Sequence, residues 1–178
     1  MRRWGVIAAL AAFALDRTVK CWLLYIYGMP AFGLIKITPF FDLVMAWNRG
    51  VSFGLLRSGA PAARWLLIAM TGAIVLGLAV WLWKCRSGLV AVALGLVIGG
   101  ALGNIYDRVV FGAVADFFQL HVAQFYWPAF NIADSVITIG VFLLVWDALF
   151  ANGRSPNRPP SDRPPSDRPQ GAGKDDHG

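Results

Sequence analysis

Asp116 and Asp134 are two carboxylates set in sequence that is otherwise apolar or small: Val114-Ala115-Asp116-Phe117 and Phe130-Asn131-Ile132-Ala133-Asp134. A bilayer makes such groups expensive, so a membrane protein keeps them where they pair with something or do chemistry. Two carboxylates in one partly dry site cannot both ionise and hold a proton between them. The ionised one can take a proton from water while the protonated one hydrogen-bonds a scissile carbonyl. Water attack then gives a tetrahedral gem-diol with no covalent intermediate. That proton is a property of the pair, although the N-terminus of a helix beginning before Asp134 favours the ionised form there. The pattern points to aspartyl hydrolysis. A Mg²⁺ site made from Asp16, Asp107, Asp116 and Asp134 with waters is the competing chemistry. Arg108 directly after Asp107, and Arg17 and Lys20 beside Asp16, would neutralise two of its four ligands. A transporter or assembly scaffold with a buried polar pathway is a third reading, and the lack of repeat symmetry between the two halves counts against it. Ser52, Ser135 and Thr138 have no His or Lys in a motif that would activate them. Cys21 and Cys85 with His121 and His177 do not have the spacing of a zinc site.

The elements that must hold these carboxylates are membrane helices. The chain has 178 residues, 57% of them hydrophobic and 15% charged, with mean hydropathy +0.58 and no Glu. Soluble domains carry roughly 25% charge. The net charge of +6 does not point to nucleic acid, because the basic residues sit at segment ends and in a tail and make no face for a duplex. Contact with anionic lipid headgroups accounts for them. Four spans are expected at about 4–27, 62–83, 89–107 and 128–150. Asp16 and Lys20, i and i+4 with the acid first, share a face of the first span and can neutralise each other. Gly95, Gly99, Gly100 and Gly103 in the third give the small-xxx-small spacing that lets helices approach closely. Residues 28–61 are broken by Gly and Pro around β-prone pieces at 34–37 and 43–47, which predicts a small sheet on the membrane surface. An aromatic connector at about 109–127 ends in Phe125-Tyr126-Trp127, an interfacial belt before a helix start, and is expected to move to admit substrate. The short basic turn at 84–88 favours both termini on the cytoplasmic side, with Cys21 and Cys85 then unpaired at opposite faces. Residues 152–178, in which Arg-Pro-Pro-Ser-Asp occurs twice, read as a disordered cytoplasmic tail.

Five motifs in order resemble lipoprotein signal peptidase (signal peptidase II): Asp16-x-x-x-Lys20, Asn48-x-Gly50-x-x-Phe53-Gly54, Gly99-Gly100-Ala101-Leu102-Gly103-Asn104-x-x-Asp107-Arg108, Val114-Ala115-Asp116-Phe117 and Phe130-Asn131-x-Ala133-Asp134. The likeness covers about residues 4–150. It implies an all-α membrane protein of four transmembrane helices with a small extracytoplasmic β-cradle and a short extracytoplasmic interfacial helix. It implies an aspartic endopeptidase of the bacterial inner membrane, active near the periplasmic face. Such an enzyme cuts prolipoproteins on the N-terminal side of a diacylglyceryl-modified Cys, needs no cofactor or metal, and is blocked by globomycin-type inhibitors. Asp116 and Asp134 match the catalytic dyad; Asn48, Asn104, Asp107, Arg108 and Asn131 match site-lining residues, and Asp16 and Lys20 match the first motif. Two positions depart from the usual pattern, Arg17 where Gln is common and Ala115 where Val is. The expected partners are diacylglyceryl-prolipoproteins and membrane lipids, with a monomeric enzyme.

Overall fold

The computed structural model describes residues 1–50 and 61–150. The Val51-Ser52-Phe53-Gly54 part of the second motif, and the tail from residue 151, lie outside the described residues. The described chain runs α1 (Arg2–Cys21), a π-helical turn (Trp22–Ile26), a one-turn helix α2 (Met29–Phe32), β1 (Leu34–Thr38), β2 (Phe41–Asn48), α3 (Pro61–Lys84), α4 (Gly88–Phe111), β3 (Val114–Val122), β4 (Phe125–Tyr126) and α5 (Ile132–Phe150). Among the described residues three helices are long and apolar enough to cross a membrane: Ala62–Lys84, Gly88–Phe111 and Ile132–Phe150. The first helix falls outside that set by composition, since Arg2, Arg3, Asp16, Arg17 and Lys20 interrupt its apolar run.

Helix α4 is the axis of the bundle. Its glycines at i, i+4 and i+8 face α1 so closely that Gly95 lies against the Gly5 carbonyl and Gly99 against the Ala9 carbonyl. Gly100, on another face, would place a Cβ 2.6 Å from the Ala133 carbonyl of α5, and Gly140 of α5 answers with 2.7 Å to the Ala93 carbonyl. Glycine serves here by its size: with no side chain to hold backbones apart, two helices dock on α4 at van der Waals contact. The third helix lies at the edge. Its spanning window is 6% buried against 67% for that of α4, so α3 turns most of its apolar surface outward.

The sheet is antiparallel in the order β1-β2-β3-β4. Strands β1 and β2 fall on the two β-prone pieces read from the sequence. The connector after α4 is a correction: instead of a separate interfacial segment it is strand β3, paired with β2 from Phe41↔Leu120 to Asn48↔Val114 across a bulge between Leu43 and Ala46. The reason is alternation. Ala115 and Phe117 pack into a core with Leu23, Leu24 and Met29 below the sheet, while Asp116 turns to the other side. A segment expected to move is thus tied into a ladder. Gly112, at φ +80°, ends α4 with its N–H on the Arg108 carbonyl and turns the chain into β3. The last helix begins at Ile132 rather than near Pro128, because Phe130 exchanges backbone hydrogen bonds with Phe118 of 2.9 Å in each direction. The interfacial helix implied by the resemblance has no counterpart longer than one turn between the spans among the described residues.

Candidate active site

Asp116 sits on β3 opposite Ala46 of β2, and Asp134 lies in the first turn of α5. The residue that joins them is Asn131. Its Nδ2 donates to Asp116 Oδ1 at 2.6 Å, while its backbone N–H donates to Asp134 Oδ2 at 3.2 Å. The Asn131 Oδ1 in turn accepts the Asp134 N–H at 3.0 Å, a capping box with Asn and Asp in the usual roles. Asn104, on α4, donates from Nδ2 to Asp134 Oδ1 at 2.9 Å and accepts from Asn131 Nδ2 at 3.3 Å and Lys20 Nζ at 3.4 Å. Two amides therefore hold the two carboxylates in one network.

Below them lies a second layer of charge. Lys20, 1% exposed, bridges Asp16 Oδ2 at 2.9 Å and Asp107 Oδ2 at 2.7 Å. Arg17 pairs with the other oxygen of Asp107 and covers the Tyr106 ring at 4.2 Å. The two buried carboxylates also grip backbone. Asp16 Oδ1 accepts the Ala133 N–H at 3.0 Å and Asp107 Oδ2 accepts the Ala115 N–H at 3.3 Å. Each of those amides belongs to the residue just before an aspartate of the pair. Lys20 thus ties together the two anchors that set the backbone of Asp116 and Asp134.

Asp116 is 1% exposed. Burial, and then the negative charge of Asp134, push its carboxyl up to about 6, against hydrogen bonds from Asn48 and Asn131 and the charge of Lys20. Asp134 is half-buried and borders a groove of about 540 Å³ lined by Leu120, Trp127, Phe130, Thr138 and Ile139 among others. One carboxylate is inside with its carboxyl raised, and the other faces a mostly apolar approach. That asymmetry is what a shared-proton dyad needs. Arg108 donates to the Asn104 carbonyl at 3.3 Å, and its charge acts on Asp134, Asp116 and Asp107.

The structure brings together every candidate read from the sequence: Asp116, Asp134, Asn48, Asn104, Asn131, Asp107, Arg108, Asp16 and Lys20. One partnership differs from expectation, because the cations on Asp107 are Lys20 and Arg17 rather than its neighbour Arg108. Among the described residues, no group of three His, Cys, Asp or Glu side chains converges as a metal would require. Cys21 and Cys85 are both free. Sequence reasoning missed Asp42, 1% exposed on β2, and its contact with His121 on β3. An Asp in a run of apolar strand residues, Phe41-Asp42-Leu43-Val44, is the same signal that marked Asp116.

Fold and site together describe a membrane enzyme: membrane-capable helices carrying a hydrogen-bonded carboxylate pair, one member buried and the other half-buried, at one end. Comparison with known proteins agrees. A family model described as signal peptidase (SPase) II matches residues 8–150. The lipoprotein signal peptidase of Beijerinckia indica subsp. indica is 41% identical over 158 residues, covering 89% of this chain and 95% of that protein. That of Methylorubrum extorquens is 46% identical over 155 residues, covering 87% and 91%. A solved bacterial membrane enzyme structure, determined by the in meso method, superposes with a TM-score of 0.70 at 28% identity, covering 87% of this chain and 92% of the other. The chain belongs to the signal peptidase II family and is a peptidase.

Proposed function

We propose that the chain is an intramembrane aspartic endopeptidase that removes the signal peptide from prolipoproteins, cutting on the N-terminal side of a diacylglyceryl-modified cysteine. The observation that carries the mechanism is Asn131 holding both Asp116 and Asp134. The raised carboxyl of Asp116 keeps the shared proton and donates it to the scissile carbonyl oxygen. Asp134, on the groove side, takes a proton from the attacking water. The gem-diol collapses as the leaving amine is protonated, and the pair returns to its one-proton state. Arg108, whose charge acts on both aspartates, steadies the negative charge that develops on the oxygen.

The groove at Asp134 fits a substrate that arrives in the bilayer. Its walls are apolar, and its α5 side, Thr138 and Ile139, continues a helix whose outer residues Phe142, Val145 and Trp146 are exposed. In this reading α1 is a fourth membrane helix, its charges internal to the Lys20 cluster. The chain lies in the bacterial inner membrane with both termini cytoplasmic and the site near the periplasmic face. The carboxylates lie where α1 and α4 end and α5 begins. Arg2 at the start of α1 covers the Trp83 ring of α3 at 4.8 Å, which groups Arg2, Arg3, Lys84 and Arg86 at the opposite end, as the positive-inside rule asks.

The deciding assay is cleavage of a purified diacylated prolipoprotein in detergent micelles by wild type, Asp116→Asn and Asp134→Asn, each with and without EDTA. The expected result is folded variants slowed by about 10³-fold or more, the scale of general acid–base catalysis, with EDTA inert. An EDTA-sensitive wild type, or either variant near full rate, would refute the dyad.

A further inference from the structure

Strand β3 does not end at the site. Past Asp116 it runs on to Leu120, a wall of the groove, and turns through Ala123, at φ +53°, into β4 and Trp127, another wall of the same groove. The Trp127 N–H donates to the Leu120 carbonyl at 2.8 Å, so both wall residues belong to one hairpin. That hairpin projects: Val122 is 74% exposed and Phe125 63%. Little apolar packing fixes its outer end.

Within the hairpin Gln119 Nε2 donates to the Trp127 carbonyl at 3.2 Å, and His121 ties the hairpin to β2. His121, between Leu120 and Val122, is bonded through its N–H to the Phe40 carbonyl at 3.0 Å and stacks on Tyr126 of β4 at 4.9 Å between ring centroids. Its Nε2 lies 3.3 Å from Asp42 Oδ2 on β2, within ion-pair range but without hydrogen-bond alignment. Asp42 is almost wholly buried, its Oδ1 accepts no hydrogen bond, and among the described residues it has no other ion-pair partner. Register explains the meeting. Asp42 pairs with Gln119, so His121 is its diagonal neighbour on the same face, a separation that long side chains span. Lys36 of β1 is paired across from Asp42 on the other side, and it is exposed. A buried carboxylate with one partner is a strong local constraint, because separating the pair leaves charge uncompensated in a dry place.

We infer that Asp42 and His121 are positioning residues for substrate binding: their contact clamps the β3–β4 hairpin to β2 and so fixes Leu120 and Trp127 as the wall against which the apolar part of the substrate rests. Neither side chain lines the groove or touches the aspartate pair, so the clamp acts on the fit of the substrate and leaves the chemical step alone. This rests on the peptidase reading above.

The test is steady-state cleavage of a diacylated prolipoprotein peptide in bicelles by wild type, His121→Gln, Asp42→Asn and the double variant, with a thermal midpoint for each. The expected result is KM raised about 10-fold in Asp42→Asn and in the double variant, kcat within 2-fold of wild type, and the double no worse than Asp42→Asn. His121→Gln leaves Asp42 unpaired, so the double variant, which removes both the imidazole and the carboxylate, decides the matter if that single variant does not fold. A lowered midpoint with wild-type KM in the folded variants shows a merely structural pair and overturns the inference, as does a loss confined to kcat. A wild type with no turnover overturns the peptidase reading and this inference with it.

Discussion

Asn131 is the residue on which both aspartates depend, one through its side chain and the other through its backbone. Asn48 works more selectively. Its side chain hydrogen-bonds Asp116 and holds that carboxyl down against burial. Asn48→Ala removes a donor that favours the ionised form, so the Asp116 carboxyl should rise further above about 6. The shared-proton state then survives to higher pH. A pH–rate profile of kcat/KM should show the alkaline limb of Asn48→Ala moved upward relative to wild type; an unmoved or downward limb contradicts the assignment. Folding carries the opposite slope. The native Asp116 carboxyl binds its proton more tightly than the unfolded one, whose value is about 3.9. The group's contribution to stability therefore falls as pH rises from about 4 through about 6 and is flat outside that window. A chemical-denaturation series across that window, with Asp116→Asn as the control lacking the slope, reads it directly.

The elements contribute by where they touch. Helix α4 meets α1 along Gly95, Gly99 and Gly103, and a Cβ on Gly103 would stand 2.5 Å from Asp16 Oδ2. Gly103→Ala must therefore push against the carboxylate that holds the Ala133 amide. Overpacking costs about 1–3 kcal/mol, and displacing a reacting group by ~1 Å can cost about 10²-fold in rate. Lower kcat with KM near wild type is expected, and Gly77→Ala of α3, which meets open space, should leave turnover unchanged. Lys20→Met is harsher. It strips Asp16 of its cation, and breaking a buried ion pair costs about 3–5 kcal/mol; loss of both cleavage and folded yield in detergent should follow.

These elements differ in how far the chain discloses them. The Asp16–Lys20 pair and the glycine seam are local patterns, one turn apart on a helix, and both are visible before any fold is known. Asn104 and Asn131 show as polar neighbours one turn from Asp107 and Asp134, whereas Asn48 stands out only through the motif resemblance, since an Asn beside a Gly reads equally well as an ordinary turn. The connector is not legible in this way, because its apolar and aromatic run suits an interface as well as a half-buried strand. Which it becomes is decided by β2, far back in the chain. Asp42 and His121 were hidden for the same reason: their meeting depends on strand register past a bulge, which no short-range spacing encodes.

At the scale of the whole molecule, packing is uneven. The second spanning helix, α4, is enclosed, whereas α3 is apolar on all sides and mostly outward-facing, the composition of a helix solvated by lipid. Leu76, 69% exposed on α3, should therefore be intolerant of charge although it packs against little. Leu76→Arg is expected to cost about 2.5–3.5 kcal/mol on the insertion scale and to shift protein from the membrane-integrated to the alkali-extractable fraction. Leu76→Phe should be neutral. Equal integration of the arginine variant would mean that α3 does not face lipid.

The anchoring of the aspartates has a consequence for the life of the chain before it is finished. Asp116 comes on a strand and Asp134 on the last helix, and each is set by an amide gripped from elsewhere, the first by α4 and the second by α1. Until α5 has inserted and docked, Asp134 has no counterpart and the pair does not exist. On the dyad reading proposed above, the enzyme is expected to be silent throughout synthesis and insertion, when it lies among the cell's own unfolded membrane segments. On that reading competence arrives with the docking of α5.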